Sequence, residues 1–150
     1  SIGGFISAKK NIAEYIRHKA SAFIFTAALP PASVAGVIEG LNILIDEPKR
    51  RKRLSENTAF IKRSLFEMGI QVNNNQVPIV PIQIGDEAVT LYMNRLLFDD
   101  GLFAGVAVSP VVPPLKAMIR TSYTCGHTKE DLNLIAASFN KNLKKLGVLS

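Results

Sequence analysis

The strand-like segments of this chain are few, short and interrupted by proline, and this restricts the fold to a small sheet. Segment 77–84 alternates apolar positions but contains Pro78 and Pro81, which have no amide hydrogen to donate to a neighbouring strand. We therefore expect this segment to lie at a sheet edge. Two more strands are predicted at 106–112 and 117–124, where apolar and β-branched residues follow one another.

Helical periodicity dominates the rest of the 150 residues. Segment 48–68 is the clearest case, because its apolar positions recur at steps of four and three along one stripe. That stripe consists of Leu54, Thr58, Ile61, Leu65 and Met68. Other predicted helices cover 8–19, 31–44 and 87–98, and a last one follows Thr128, whose hydroxyl suits an N-cap. The elements predict an α+β fold: a small, mostly antiparallel sheet with helices on one face.

The remaining segments are short. The apolar run 22–28 is consistent with a buried strand or an extended segment, which Pro30 ends. Gly69 suits the residue after a helix end. A short strand is expected at 70–72 and a turn at 73–75, where three asparagines follow one another.

The cysteine and histidine counts exclude several kinds of site. The single cysteine, Cys125, cannot form an internal disulfide or a multi-thiolate metal centre, and we expect it to be buried in a strand. Two histidines, His18 and His127, rule out a multi-histidine metal site. No apolar stretch reaches the roughly 18 residues that span a membrane, and no leader pattern is seen. We therefore expect a cytoplasmic protein without a bound metal or a transmembrane segment.

The net charge of +6 raises the question of a nucleic-acid partner. Much of the excess lies in the basic run 49–53, which directly follows Pro48 at a predicted helix start. A solvated first turn explains this run, because no aromatic residues are interleaved with the basic ones to form a base-stacking surface. We therefore expect no nucleic-acid partner.

Arg120 is the unusual residue of the predicted strand 117–124. It stands among apolar residues, where burial of its charge would require an anionic partner. Three interpretations are open from the residues alone. Arg120 lies on the exposed face of an edge strand, forms a structural salt bridge, or captures a carboxylate with both arms of its guanidinium group.

Three stretches resemble motifs of the α-oxoamine synthases, and their order and separation match across nearly the whole chain. They are 1–6 (SIGGFI), 23–32 (FIFTAALPPA) and 118–122 (MIRTS), the last followed by His127 and an acidic helix start. This family of fold-type I pyridoxal-phosphate (PLP) enzymes, of aminotransferase class I/II, includes serine palmitoyltransferase, 2-amino-3-ketobutyrate CoA ligase and 8-amino-7-oxononanoate synthase. Within it, residues 105–114 favour the serine palmitoyltransferase-like branch.

The resemblance implies the C-terminal part of an enzyme that condenses an amino acid with an acyl-CoA, with loss of CO2, to give an amino ketone. Residues 1–47 would then be the tail of the large cofactor-binding domain with the start of the connecting helices, and 48–150 the C-terminal small domain. Arg120 matches the family's arginine that binds the substrate carboxylate. Thr26 matches the hydroxyl residue that reaches the PLP phosphate of the neighbouring subunit in a homodimer. A turn-forming or capping role near Pro30 is an equal alternative for Thr26.

The resemblance also places the lysine that binds the cofactor shortly before Ser1, because Lys9 and Lys10 lie on the wrong side of the paired glycine. Gly3 and Gly4 are expected to shape the backbone beside the site rather than to contact the substrate. The alternative is a lysine-less, non-catalytic subunit or paralogue that supports a catalytic partner.

Overall fold

The structure is a computed structural model that describes residues 3–73 and 75–148. The chain divides into two compact units, Ser1–Glu47 and Pro48–Ser150. Each unit is described below by itself. Asn74, in the predicted turn 73–75, lies outside the described residues.

The first unit consists of helices. They are α1 (Lys10–Lys19), α2 (Ser21–Ile24) and α3 (Pro31–Asp46). Pro30 and Pro31 occupy the N-cap and the first position of α3, where the missing amide hydrogen would have no helical partner. The extended structure predicted for 22–28 is wrong, because its first half forms the single turn α2. A strand needs a ladder partner, and the described part of this unit contains none.

No described residue of the first unit is buried within the structure. Helix α3 is apolar along most of its length, yet its large side chains are exposed to solvent. These are Val34, Val37, Ile38, Leu41, Ile43, Leu44 and Ile45. An apolar surface of this extent is typical of an interface.

The second unit contains the sheet. Its elements are α4 (Pro48–Glu67), β1 (Ile79–Gly85), α5 (Glu87–Asp99), β2 (Gly105–Ala107), β3 (Ala117–Ser122) and α6 (Lys129–Lys145). The strands are antiparallel in the order β1-β3-β2, so β1 is an edge strand as Pro78 and Pro81 predicted. The α+β class and the small antiparallel sheet are confirmed.

Two predicted strands are shorter than expected or absent. Of 106–112, only its first two residues belong to β2, and the chain then turns, with the amide of Val111 donating to the Val108 carbonyl at 2.9 Å. Pro110 has no amide hydrogen to extend the ladder. Segment 70–72 is not a strand, although Ile70 is buried in the core.

The core lies between one face of the sheet and the helices. Helix α5 packs against all three strands, α6 packs against α5, and α4 packs against α6. Along β3, Ala117, Ile119 and Thr121 are buried, whereas Arg120 and Ser122 are exposed. The α4 stripe is confirmed, because Thr58, Ile61 and Leu65 are buried and its end residues Leu54 and Met68 are partly buried. Helices therefore cover one face of the sheet within this unit.

Helices α4, α5 and α6 begin or end beside the capping and glycine residues from which their ends were predicted. The Thr128 hydroxyl accepts from the amide of Asp131 at 3.2 Å, and the Asp131 carboxylate accepts from the amide of Thr128 at 2.8 Å. This capping box begins α6. Gly69 and Gly101 both have φ of +87° just after α4 and α5.

Among the described residues, no helix is both long and apolar enough to cross a membrane.

Asp100 joins α5 to α6. Its carboxylate accepts hydrogen bonds from Lys141 Nζ and Ser138 Oγ, each at 2.6 Å, and from Asn142 Nδ2 at 2.8 Å. The bond from Lys141, followed by those from Ser138 and Asn142, lowers the pKa of Asp100 from 3.8 to about 2. Because the folded state favours the charged carboxylate, this contribution to stability is present above pH 3.8 and is lost as the pH falls towards 2.

We predict that Asp100→Asn lowers the melting temperature of the full-length protein by a few degrees at neutral pH, because an amide cannot accept all three hydrogen bonds as a carboxylate does. The difference from the wild type should narrow below pH 3.8 and be much reduced near pH 2, where about half of the folded-state carboxyls are protonated. Circular dichroism melts across this pH range measure it. Asp99→Asn is the control, since Asp99 forms an exposed pair with Arg95. A difference between wild type and Asp100→Asn that is as large near pH 2 as at neutral pH would contradict the prediction.

Candidate active site

Arg120 lies in the middle of the central strand β3, on the face that the helices of the second unit leave open. Pro81 of β1 and Gly105 of β2 are its cross-strand partners, so the three residues share that face. The edge-strand interpretation of Arg120 is therefore wrong. An arginine on the open face of a central strand is held in place by ladders on both sides.

The Arg120 guanidinium is a free cation within the part of the chain that the structure describes. No hydrogen bond or ion pair involves its side chain across residues 3–73 and 75–148, so the salt-bridge interpretation finds no support there. Gly105 leaves one flank uncovered, because a Cβ at this position would lie only 4.0 Å from Arg120 Nε. The arrangement leaves the guanidinium accessible to an external carboxylate.

Thr26 lies just after α2 and is exposed. Its Oγ1 donates to the carbonyl of Ala22, one turn earlier, so this hydroxyl has a local partner at α2 rather than near Pro30. No hydrogen bond involves the backbone amides of Thr26, Ala27 or Ala28 among the described residues. Backbone amides without a partner in the described chain are donors that a phosphate can use, and the Thr26 hydroxyl joins them only if it turns away from the Ala22 carbonyl. The chemistry of these amide donors is of the kind that the phosphate of PLP requires.

Thr26 belongs to the first unit and Arg120 to the second, so each is placed only within its own unit. Lys9 precedes α1 and Lys10 begins it, and both are exposed. In the described ranges, no group of three or more histidine, cysteine or acidic residues is arranged to hold a metal ion. Cys125 is partly buried in the turn between β3 and α6, so its predicted place in a strand is wrong.

The turn that follows the Arg120 strand is held by residues that sequence reasoning missed. Asn57 of α4 is buried, and its Nδ2 donates to the carbonyls of Thr124 at 3.0 Å and His127 at 3.1 Å. Arg53 donates to the same His127 carbonyl at 3.2 Å. The spacing held a signal for Asn57, because it stands three residues after Leu54 and so lies beside the apolar stripe.

A cavity of about 310 Å³ opens beside the end of β3. Ser122, Tyr123, His127 and Asp131 line it together with apolar residues of α6. The His127 Nδ1 accepts from the amide of Thr124 at 3.0 Å, which leaves the proton of the neutral ring on Nε2. Burial raises the pKa of Tyr123 to about 12, so its hydroxyl stays protonated at physiological pH. The sequence pattern gave no indication of this cavity.

The sequence profile of the class I and II aminotransferases matches residues 1–139 of the chain. The chain belongs to this family. An 8-amino-7-oxononanoate synthase of Thermoanaerobacter pseudethanolicus is 38% identical over 148 residues, which cover 99% of this chain and 38% of that protein. 8-Amino-7-oxononanoate synthase 1 of Bacillus subtilis gives the same identity and coverage. The chain thus spans about two-fifths of the length of these relatives.

Solved structures of α-oxoamine synthases share the fold of this chain. A serine palmitoyltransferase with PLP superposes with a TM-score of 0.78 at 26% identity, covering 94% of this chain and 36% of that one. An 8-amino-7-oxononanoate synthase of Francisella tularensis shares the fold with a TM-score of 0.72 at 23% identity, covering 91% of this chain and 40% of that one. The predicted resemblance to α-oxoamine synthases is confirmed, as is the C-terminal fold of a fold-type I PLP-dependent transferase.

Proposed function

We propose that this chain is the C-terminal part of a PLP-dependent acyltransferase that condenses an amino acid with an acyl-CoA and releases CO2. The observation that supports it most is the match at 38% identity along 99% of the chain to 8-amino-7-oxononanoate synthases. The free guanidinium of Arg120 and the exposed donors around Thr26 are consistent with a carboxylate site and a phosphate site. When bound, PLP supplies an electron sink for the carbanion that forms at the amino-acid α-carbon.

Among the reactions of this family, we favour synthesis of 8-amino-7-oxononanoate over the serine palmitoyltransferase-like reaction that the segment 105–114 suggested. The relatives of that name reach 38% identity, whereas the serine palmitoyltransferase structure is 26% identical. The shared fold supports both reactions equally, so the higher sequence identity decides the preference.

The product named by these relatives indicates the substrates. Condensation joins the acyl carbon to the amino-acid α-carbon, so C7 of 8-amino-7-oxononanoate is the acyl carbon and C8 the α-carbon. C9 is then a methyl side chain, which makes the amino acid alanine. The acyl donor is the CoA thioester of a dicarboxylic acid that contributes C1 to C7. The C–S bond of the thioester breaks, CoA leaves as the thiol, and the alanine carboxylate leaves as CO2.

In this proposal Arg120 holds the alanine carboxylate before its loss, and Thr26 with its neighbouring amides holds the PLP phosphate. Arg120 needs the open sheet face for this role, because a carboxylate can approach both guanidinium arms only there. We further propose that Thr26 serves the site of the neighbouring subunit of a homodimer. The exposed apolar side chains of α3 support an interface in the first unit.

The experiment that tests the proposed function is the visible absorption spectrum of the full-length protein with PLP, before and after addition of amino acids. We expect a PLP band that shifts with alanine and less with serine or glycine. A shift with serine instead would favour the serine palmitoyltransferase-like reaction. No band at all after addition of PLP would favour the non-catalytic, lysine-less subunit.

For Arg120→Ala in the full-length protein, we predict that the KM for alanine rises about a hundredfold, because two charge-assisted hydrogen bonds are lost. The PLP band should be unchanged. Arg120→Lys should recover only part of the loss, since an ammonium group lacks the planar fork. Arg95→Ala is the control, because Arg95 is exposed and paired with Asp99. Steady-state kinetics measure the KM, and an unchanged value in Arg120→Ala would refute the carboxylate role.

We predict that Thr26→Ala weakens PLP binding about tenfold, through loss of a hydrogen bond to a charged group, and that Thr26→Ser retains most of the affinity.

Mixing Thr26→Ala subunits with Arg120→Ala subunits tests the shared site. If Thr26 acts across the interface, each mixed dimer regains one intact site, because Arg120 comes from one subunit and Thr26 from the other. Activity that stays at the level of the single variants would contradict a shared site.

A further inference from the structure

The pairing of β3 changes at Arg120. This residue is the last of β3 to pair with β2, opposite Gly105, whereas pairing with β1 continues beyond it. The amide of Tyr123 then donates to the carbonyl of Pro78 at 2.9 Å, again on the β1 side. The cavity of about 310 Å³ is lined by segment 121–123 and by the residues just before β2. The part of β3 beyond Arg120 is therefore paired with a strand on one side only.

The turn 124–127 that follows β3 is closed by its own hydrogen bonds. The amide of Thr124 donates to His127 Nδ1 at 3.0 Å, and the amide of Gly126 donates to Thr124 Oγ1 at 3.2 Å. Because the first of these bonds joins the two ends of the turn, the carbonyl groups of Thr124 and His127 move together. A contact to these carbonyls therefore restrains the end of β3.

Asn57 of α4 holds this turn from outside. Its Nδ2 donates to the carbonyls of Thr124 at 3.0 Å and of His127 at 3.1 Å, which accounts for both amide protons. Asn57 is only 8% exposed, and a hydrogen bond is stronger where water is excluded. Arg53 also reaches the His127 carbonyl, at 3.2 Å, but its bond is exposed to solvent. Asn57 therefore makes the stronger attachment of the turn to α4.

We propose that Asn57 is a positioning residue for Arg120: by holding the turn 124–127 against α4, it restrains β3 beyond the point where pairing with β2 ends. This inference rests on the proposed function, in which Arg120 binds the carboxylate of alanine. Binding through both arms of a guanidinium group depends on its orientation, so a small displacement of the strand weakens it. The cavity beside segment 121–123 leaves room for this displacement once the turn is released from α4.

Two substitutions of Asn57 remove the bonds to the turn in different ways. Asn57→Ala leaves both carbonyls without this donor and removes side-chain volume. In Asn57→Ser, the hydroxyl can donate to the carbonyl one turn earlier, as Thr58 and Ser64 do in the same helix. The serine variant therefore loses the contact with the turn while its own polar group is satisfied. Thr58→Val is the matched control, because Thr58 is buried beside Asn57 and its hydroxyl bonds within α4.

The experiment is steady-state kinetics of the full-length protein, with alanine and the CoA thioester of the C1–C7 dicarboxylic acid varied in turn. The variants are Asn57→Ala, Asn57→Ser, Thr58→Val, Arg120→Ala and Arg120→Ala combined with each Asn57 substitution. We expect the KM for alanine to rise about tenfold in both Asn57 variants, with the KM for the thioester and the PLP band unchanged. Thr58→Val should change the KM for alanine by less than about twofold.

The double variants test whether the effect passes through Arg120. In the Arg120→Ala background, neither Asn57 substitution should raise the KM for alanine further, because the group that Asn57 positions is absent. Melting temperatures, recorded in parallel, measure the loss of stability separately. If Asn57→Ala does not fold, Asn57→Ser decides by the same criteria.

The outcomes separate the inference from the proposed function. A full-length wild type that does not turn over alanine overturns both. If Arg120→Ala leaves the KM for alanine unchanged, the carboxylate role is refuted and the inference with it. If Arg120→Ala raises this KM but the Asn57 variants do not, the positioning role alone is overturned, and a lower melting temperature would then show that Asn57 serves stability only. An equal rise with and without Arg120 would also overturn the positioning role.

Discussion

The fold of the second unit depends on β3, whose two faces lie in different environments. Along β3, alternate side chains enter the core beneath α5 and α6, and those between them, Arg120 among them, face away from the helices. Pairing with β1 on one side and β2 on the other fixes the register of the strand. A shift by one residue would bury the charge and expose Ile119 and Thr121. The core therefore determines where the guanidinium points.

The turn after β3 extends this constraint to α6. The buried amide of Asn57 satisfies two carbonyls of the turn, and the capping box between Thr128 and Asp131 starts the helix directly afterwards. Asp100 then ties the far part of α6 to the end of α5. Hydrogen bonds at both ends of α6 hold the helix against α4 and α5, and α5 packs against the strands. Groups far from the open face thus contribute to its geometry.

The spacing of apolar residues was sufficient to predict the helices and strands whose apolar face is buried within this chain. The α4 stripe, the edge position of β1 and the cap at Thr128 were all predicted, because each follows from local spacing or from the chemistry of a single residue. The run 22–28 was assigned wrongly because apolar character alone does not distinguish a strand from a helical turn. The predicted strand 106–112 was too long because β2 ends where the chain turns before Pro110, and apolar spacing does not mark that turn. Asn57 was missed because its partners are more than 60 residues away.

The two units obtain their geometry in different ways, and this affects how the candidate site responds to substitution. The core of the second unit resists single changes on the open face, so Arg120 can be altered without loss of the strand that carries it. No described residue of the first unit is buried, so short-range contacts have a larger share in its conformation. The proline pair, the bond from Thr26 to Ala22 and the approach of Leu29 to Gly3 are contacts of this kind. Within the described residues of this unit, substitutions at these positions should therefore alter the local geometry directly.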